Sequence, residues 1–274
     1  MMPSSTPHSR KDAATVGVPA QQVQLRPRGL LETADLSSRF MQIHPRQLAL
    51  CLVPILALAG LLGWLQSWAE WPPVVLWVFL MALAPIATLP ITAVCGELML
   101  KTRADLPSVF RAARAAFFRV TGARVVDFLG KSFLLGLTFR TTCFAPEVMA
   151  LEHGDLGATF KRSSDLLNVV AGRWLGLALL SLFVPCVGAI AGEVIWQSLR
   201  SLFDIHSARE PLWESGATGP SLVGAALGYG YLAVVRFLVY IDCRTRREGW
   251  DLLLQMSTLT QIGRARDLRK SAAA

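Results

Sequence analysis

The sequence predicts an all-α fold: a polytopic α-helical membrane protein with four full spans, a re-entrant or short helical hairpin, and amphipathic helices on the cytoplasmic surface. Three observations predict it. Four apolar runs of membrane-crossing length carry at most one formal charge each, and about 20 apolar residues at 1.5 Å each cross a 30 Å hydrocarbon core. The chain is 53% hydrophobic and only 17% charged, with a mean hydropathy of +0.45, against about 25% charged residues in a soluble domain. Lys and Arg are concentrated in alternate connections. The net charge of +8 therefore reads as membrane orientation and not as a nucleic-acid stripe.

Residues 1–30, rich in Ser, Pro, Thr and Gln with no stretch of signal-peptide length, predict a disordered cytoplasmic tail. Residues 31–256 form the integral membrane domain and 257–274 a basic C-terminal tail. The first span, 47–68, is free of charge and ends on Trp64 and Trp68, side chains suited to the membrane interface. After the short Glu70-Trp71-Pro72-Pro73 turn, 74–95 is a second charge-free span, kinked by Pro85 and Pro90. The third, 174–199, carries only Glu193 near its far end, and the fourth, 221–241, carries only Arg236, long enough to snorkel to the headgroups.

Residues 124–146 have the length of a span but contain Asp127, Lys131 and Arg140. A charge at mid-membrane costs about 2.5–3.5 kcal/mol even on the gentler insertion scale, which argues against a simple crossing. An internal repeat bears on this segment. Residues 97–113 align with 147–163 at an offset of fifty, matching Glu97 to Glu147, Met99 to Met149, Asp105 to Asp155, Leu106 to Leu156, Phe110 to Phe160 and Arg111 to Lys161, with a third echo at Asp35 to Phe40. In each copy the Asp suits a helix N-terminus, and Pro107 is tolerated in a first turn. Leu106, Val109, Phe110, Ala113 and Phe117 then recur with helical spacing beside Arg111, Arg114 and Arg119. The pattern describes an interfacial helix, or alternatively a helix of a soluble loop.

Six Lys and Arg precede residue 47, six lie in 97–124, three in 147–173 and seven after Ile241, whereas the turn after the first span has none and 200–220 only two. The positive-inside rule then places both termini and both repeat copies in the cytoplasm. Residues 124–146 must enter and leave on one side, as a re-entrant hairpin with its tip near Leu135 to Leu137. Gly188 and Gly192, Gly224 and Gly228 form G-x-x-x-G pairs, with Gly230 continuing the second and Gly172 and Gly176 forming a third. Such spacing lets helices approach closely, either between the last two spans or across a homodimer.

The five cysteines, Cys51, Cys95, Cys143, Cys186 and Cys243, are widely spaced, and the four histidines make no ligand pattern. No disulfide framework, metal site or other cofactor is expected, nor does any G-x-S-x-G or H-E-x-x-H point to catalysis. The densest charge is the cluster of Asp242, Arg244, Arg246, Arg247, Glu248 and Asp251. Asp242 with Arg246, Arg244 with Glu248 and Arg247 with Asp251 are i, i+4 pairs, each contributing about 0.2–0.5 kcal/mol on an exposed helix. Three uses stay open for it: a charged collar that stops translocation, a site for anionic headgroups or a protein partner, or catalysis, which the absence of a nearby nucleophile or histidine disfavours.

Two stretches are more specific. Arg140 to Glu152 reads R-x-x-x-x-A-P-x-x-x-x-L-E, and Tyr240 to Gly249 reads Y-x-D-x-R-x-R-x-E-G. Together with the order of helices and spans over about Leu30 to Leu254, they resemble the bacterial multi-pass family related to the membrane domain of glycerophosphodiester phosphodiesterases. The resemblance implies an inner-membrane protein and supplies no reaction, since the catalytic domain of such enzymes is a separate soluble unit. Members place two full helices before the Ala-Pro pair, where this chain has about twenty-two residues. Two functions are expected from different classes: a non-enzymatic membrane scaffold or accessory protein, with membrane lipids and a membrane protein or second copy as partners, or a carrier for a lipid or small solute. In the second, Asp127, Lys131, Arg140 and Glu147 would line a cavity.

Overall fold

The computed structural model describes residues 29–69, 71–101, 103–134, 143–152, 156–168, 173–203 and 212–272, with no strand among them. Its helices are α1 (Leu30–Ile43), α2 (Pro45–Ala69), α3 (Pro73–Ala87), α4 (Leu89–Leu100), α5 (Leu106–Leu134), α6 (Ala145–Glu152), α7 (Leu156–Asn168), α8 (Arg173–Leu202), the single turn α9 (Leu212–Ser215) and α10 (Gly219–Ala272). Four helical stretches are long and apolar enough to cross a membrane: Pro45–Ala69, Pro73–Met99, Leu175–Leu202 and Gly219–Arg247. The protein is an all-α polytopic membrane protein, and these stretches fall where composition alone puts the spans.

α10 is the centre of the bundle. The share of its span buried is 72%, against 28%, 44% and 17% for the other three in chain order, and it packs against α8, α2, α1, α4, α3 and α7. Its closest approach is to α8, where glycines bring backbone onto backbone. A Cβ on Gly188 would meet the Gly224 carbonyl, one on Gly224 would lie 3.0 Å from the Gly192 Cα, and one on Gly228 2.8 Å from the Val184 carbonyl. The two G-x-x-x-G pairs thus face each other within one chain. Gly176 lies against Leu30, and Gly172 is outside the described residues.

The second span breaks where two prolines act together. Pro85 lies inside α3, and α4 begins with Pro at its first turn; each lacks an N–H to continue the ladder. Thr88 sits between them with φ −89 and ψ 0, its N–H still bonded to the Ala84 carbonyl. At the turn end of the bundle, Trp77 Nε1 donates to the Gly216 carbonyl at 2.9 Å, and Gly216 has the left-handed φ of 72° that its lack of a side chain permits.

Three expectations change. The interfacial helix and the first half of the re-entrant segment are one helix, α5, so Asp127 and Lys131 ride on its backbone while their side chains lie outside what is described. Arg140 and the hairpin tip at 135–137 fall outside the described residues as well. The face of α5 that packs is Val109, Ala113, Ala116 and Val120, with Phe110, Phe117 and Phe118 turned outward, because the helix meets α4, α6 and α3 instead of lying free on a surface. Its N-terminus is capped by Glu97, which accepts from the Asp105 N–H at 2.9 Å and from the Ser108 hydroxyl, and not by the Asp105 side chain. The backbone of residues 257–272 is helical and continuous with α10, residues 1–28 lie outside the described residues, and Leu30 is the first residue of α1.

Candidate functional site

α6 is the element that builds the site. Its Ala145-Pro146 start suits a first turn, where a missing N–H costs nothing, and the Phe144 N–H just before it donates to Ser163 Oγ of α7 at 3.0 Å. The Phe144 ring packs on Tyr240 of α10 with centroids 6.1 Å apart. Held from both sides, α6 presents two carboxylates to α10, one turn and a half apart.

The first is Glu147, which is buried and pairs with Arg236 at 3.1 Å; the same guanidinium Nη2 also donates to the Cys143 carbonyl. Arg236 therefore turns inward to a partner instead of snorkelling to the headgroups. The reason is local: α6 brings a carboxylate and an open carbonyl within reach, and a charge-assisted bond outcompetes a stretched route to water. Arg236 Nε remains buried with no hydrogen-bond partner among the described residues.

The second carboxylate, Glu152, gathers a network. Tyr240 donates to Glu152 Oε1 at 2.7 Å, Arg244 lies 3.9 Å from the same oxygen, and Arg162 Nε of α7 is 3.3 Å from Oε2. Further along α10, Arg247 pairs with Asp165 of α7 at 3.2 Å, and Arg246 with Asp242 at 2.7 Å within the helix. Of the predicted collar pairs, Asp242–Arg246 is formed, while Arg244 and Arg247 each take a partner on another helix; the Glu248 and Asp251 side chains lie outside the described set. The collar is thereby a clamp that fastens α6 and α7 to α10. The clamp joins the two stretches, at Arg140–Glu152 and Tyr240–Gly249, that the sequence marked as its most specific.

Beside the Arg236–Glu147 pair lies a cavity of about 270 Å³, walled by Met81, Pro85, Thr88 and Thr92 of the broken second span, Ala178, Ser181 and Leu182 of α8, Tyr229, Leu232 and Ala233 of α10, and Pro146. Met81 of α3 and Leu182 of α8 line the cavity and are themselves exposed, so it has an apolar rim at the surface between these two helices. Arg236 is 17 residues along α10 from Gly219, about 26 Å at 1.5 Å per residue. Of the four residues expected to line a cavity, Glu147 does so, and the side chains of Asp127, Lys131 and Arg140 lie outside the described set. Arg236, Tyr229, Thr88, Thr92 and Ser181 were not anticipated. An arginine in an otherwise apolar span was the one available signal, and its partner 89 residues away has no local signature.

Glu193, the other charge within a span, is buried and spoken for: it accepts from Thr218 Oγ1 and from Gln197 Nε2 at 2.9 Å. The Thr218 contact pins the start of α10 to α8. Among the described residues no group of three or more His, Cys, Asp or Glu could hold a metal ion. Comparison of the chain with protein-family models, with curated proteins and with solved structures gives no match.

Proposed function

We propose that this protein is a non-enzymatic carrier of the bacterial cytoplasmic membrane, with both termini in the cytoplasm, that takes a lipid or small solute into the cavity beside Arg236 and Glu147. The observation that carries this reading is a buried ion pair placed on the wall of a laterally open cavity. Buried pairs add little net stability compared with apolar packing, so a pair retained at a cavity next to a proline-broken span favours binding over structure. Discontinuous helices around a charged cavity are a recurring way to hold a solute within a membrane.

The scaffold reading rests on a different observation, the clamp of Glu152, Tyr240, Arg244, Asp165 and Arg247, which makes a rigid platform at the charged end that a membrane protein partner could use. On either reading, anionic headgroups would gather at the collar and at Arg111, Arg114 and Arg119 of α5, at about 1 kcal/mol per basic residue near the surface.

Replacing Ser181, on the cavity wall, by Trp separates the readings. Purified in mild detergent, wild-type protein is expected to retain lipid in native mass spectrometry, and Ser181→Trp to lose it while staying monodisperse. Equal lipid retention by both would sink the carrier reading, and a stoichiometric protein partner retained by both would put the scaffold first. The assignment of sides has its own check in a cysteine-free background. Ser67→Cys, exposed at the turn end, should react with an impermeant thiol reagent in intact cells, whereas Ala158→Cys, exposed on α7, should react only after permeabilisation. Labelling in the opposite order would invert the proposed orientation.

A further inference from the structure

We infer that the cavity selects a zwitterionic headgroup, a phosphate and a primary amine joined by a short linker, carried by an amphiphile whose chains leave between α3 and α8. The inference rests on the carrier reading and names its ligand class.

Charge balance decides it. Arg236 and Glu147 both lie on the cavity wall, and together they are neutral. An anion bound to Arg236 would leave one net negative charge in a low-dielectric site, and a cation bound to Glu147 one net positive charge; either is strongly unfavourable away from water. A zwitterion keeps the sum at zero while giving each wall charge a second partner. Arg236 has donors to spare for this. Among the described residues Nη2 serves Glu147 and the Cys143 carbonyl and Nη1 makes no hydrogen bond, so Nη1 is the donor left for a ligand, while Nε is buried away from the cavity. The guanidinium fork suits a phosphate, and a carboxylate with the hydroxyl oxygens of Thr88 and Ser181 suits an ammonium, since both hydroxyls already spend their protons on helix carbonyls and can still accept.

Size and access point to an amphiphile. The volume of about 270 Å³ falls just below the range of about 300–1,000 Å³ typical of drug-sized ligands, so it accommodates a headgroup and not two acyl chains. The rim formed by Met81 and Leu182 is apolar and faces outward, which gives the chains a path to the bilayer.

The test titrates the full-length protein in dodecyl maltoside with phosphatidylethanolamine, phosphatidylglycerol and free glycerophosphoethanolamine, read by native mass spectrometry. Wild type should prefer phosphatidylethanolamine to phosphatidylglycerol by about tenfold. Glu147→Gln, which keeps the shape and an acceptor but removes the negative charge, should reverse that order. Competition by glycerophosphoethanolamine at equal affinity would support the same headgroup chemistry from a soluble source; much weaker competition would support the lipid. Should Glu147→Gln fail to fold, the wild-type order alone decides. Equal binding of the two lipids, or an order unchanged in Glu147→Gln, overturns the zwitterion. If Ser181→Trp still abolishes lipid binding in that case, the carrier reading survives. Binding of neither lipid nor soluble headgroup overturns both.

Discussion

Glu147→Ala is expected to destabilise the protein by about 3–5 kcal/mol, the cost of leaving one member of a buried ion pair without its partner. The side chains of Arg236 and Glu147 are 14% and 3% exposed, so water cannot readily replace the lost carboxylate. The readout is the midpoint of thermal aggregation in detergent, followed by fluorescence-detected size exclusion. The double variant Glu147→Leu with Arg236→Met should recover most of the loss, because an apolar pair removes both charges and their desolvation together. A single variant as stable as wild type would mean that Arg236 reaches the headgroups after all, and would remove the ion pair from the cavity wall.

Gly224→Val is expected to cost about 3 kcal/mol or more, at or beyond the upper end for overpacking. A Cβ there meets the Gly188 carbonyl on one side and the Gly192 Cα on the other. Both are backbone, so no rotamer change relieves the clash and α8 must move away from α10 along their whole seam. Gly60→Val is the control: nothing lies within 4 Å of a Cβ at Gly60, so only the small effects of replacing a helical glycine remain. Equal yields and equal melting midpoints for the two variants would contradict the glycine seam and favour its use between chains.

What the sequence reveals here depends on the range of the forces involved. The four spans are legible because hydrophobic run length is a local property matched to a fixed bilayer thickness. The break near Thr88 is legible for the same reason, since Pro85 and Pro90 act on their own helix. Asp242 and Arg246 could be paired from spacing alone. Arg236 with Glu147, Tyr240 with Glu152 and Arg247 with Asp165 could not, because each depends on where α6 and α7 dock. The repeat also misled in part. Glu97 and Glu147 align at an offset of fifty, yet Glu97 caps the helix that follows it while Glu147 pairs with α10. Equivalent positions in sequence came to face different neighbours, so the same residue took different work. The stripe on α5 was rotated for a related reason: helical periodicity tells which residues share a face but not which of two apolar faces a neighbouring helix will cover.

The central place of α10 has a consequence for biogenesis. The first three spans leave the translocon before the helix against which they pack, and the third, with 17% of its span buried even in the finished fold, has little else to hold it. From Ala69 to Gly219 the ribosome adds 150 residues, about 8–30 s at 5–20 residues per second. In the last 27 residues of that interval, from Gly192 to Gly219 and about 1–5 s at the same rate, Gly188 and Gly192 offer an uncovered seam and Glu193 waits for Thr218. A nascent chain stalled before Gly219 is therefore a natural client for insertion chaperones and quality-control proteases, and arrival of the fourth span is the event that releases it from them.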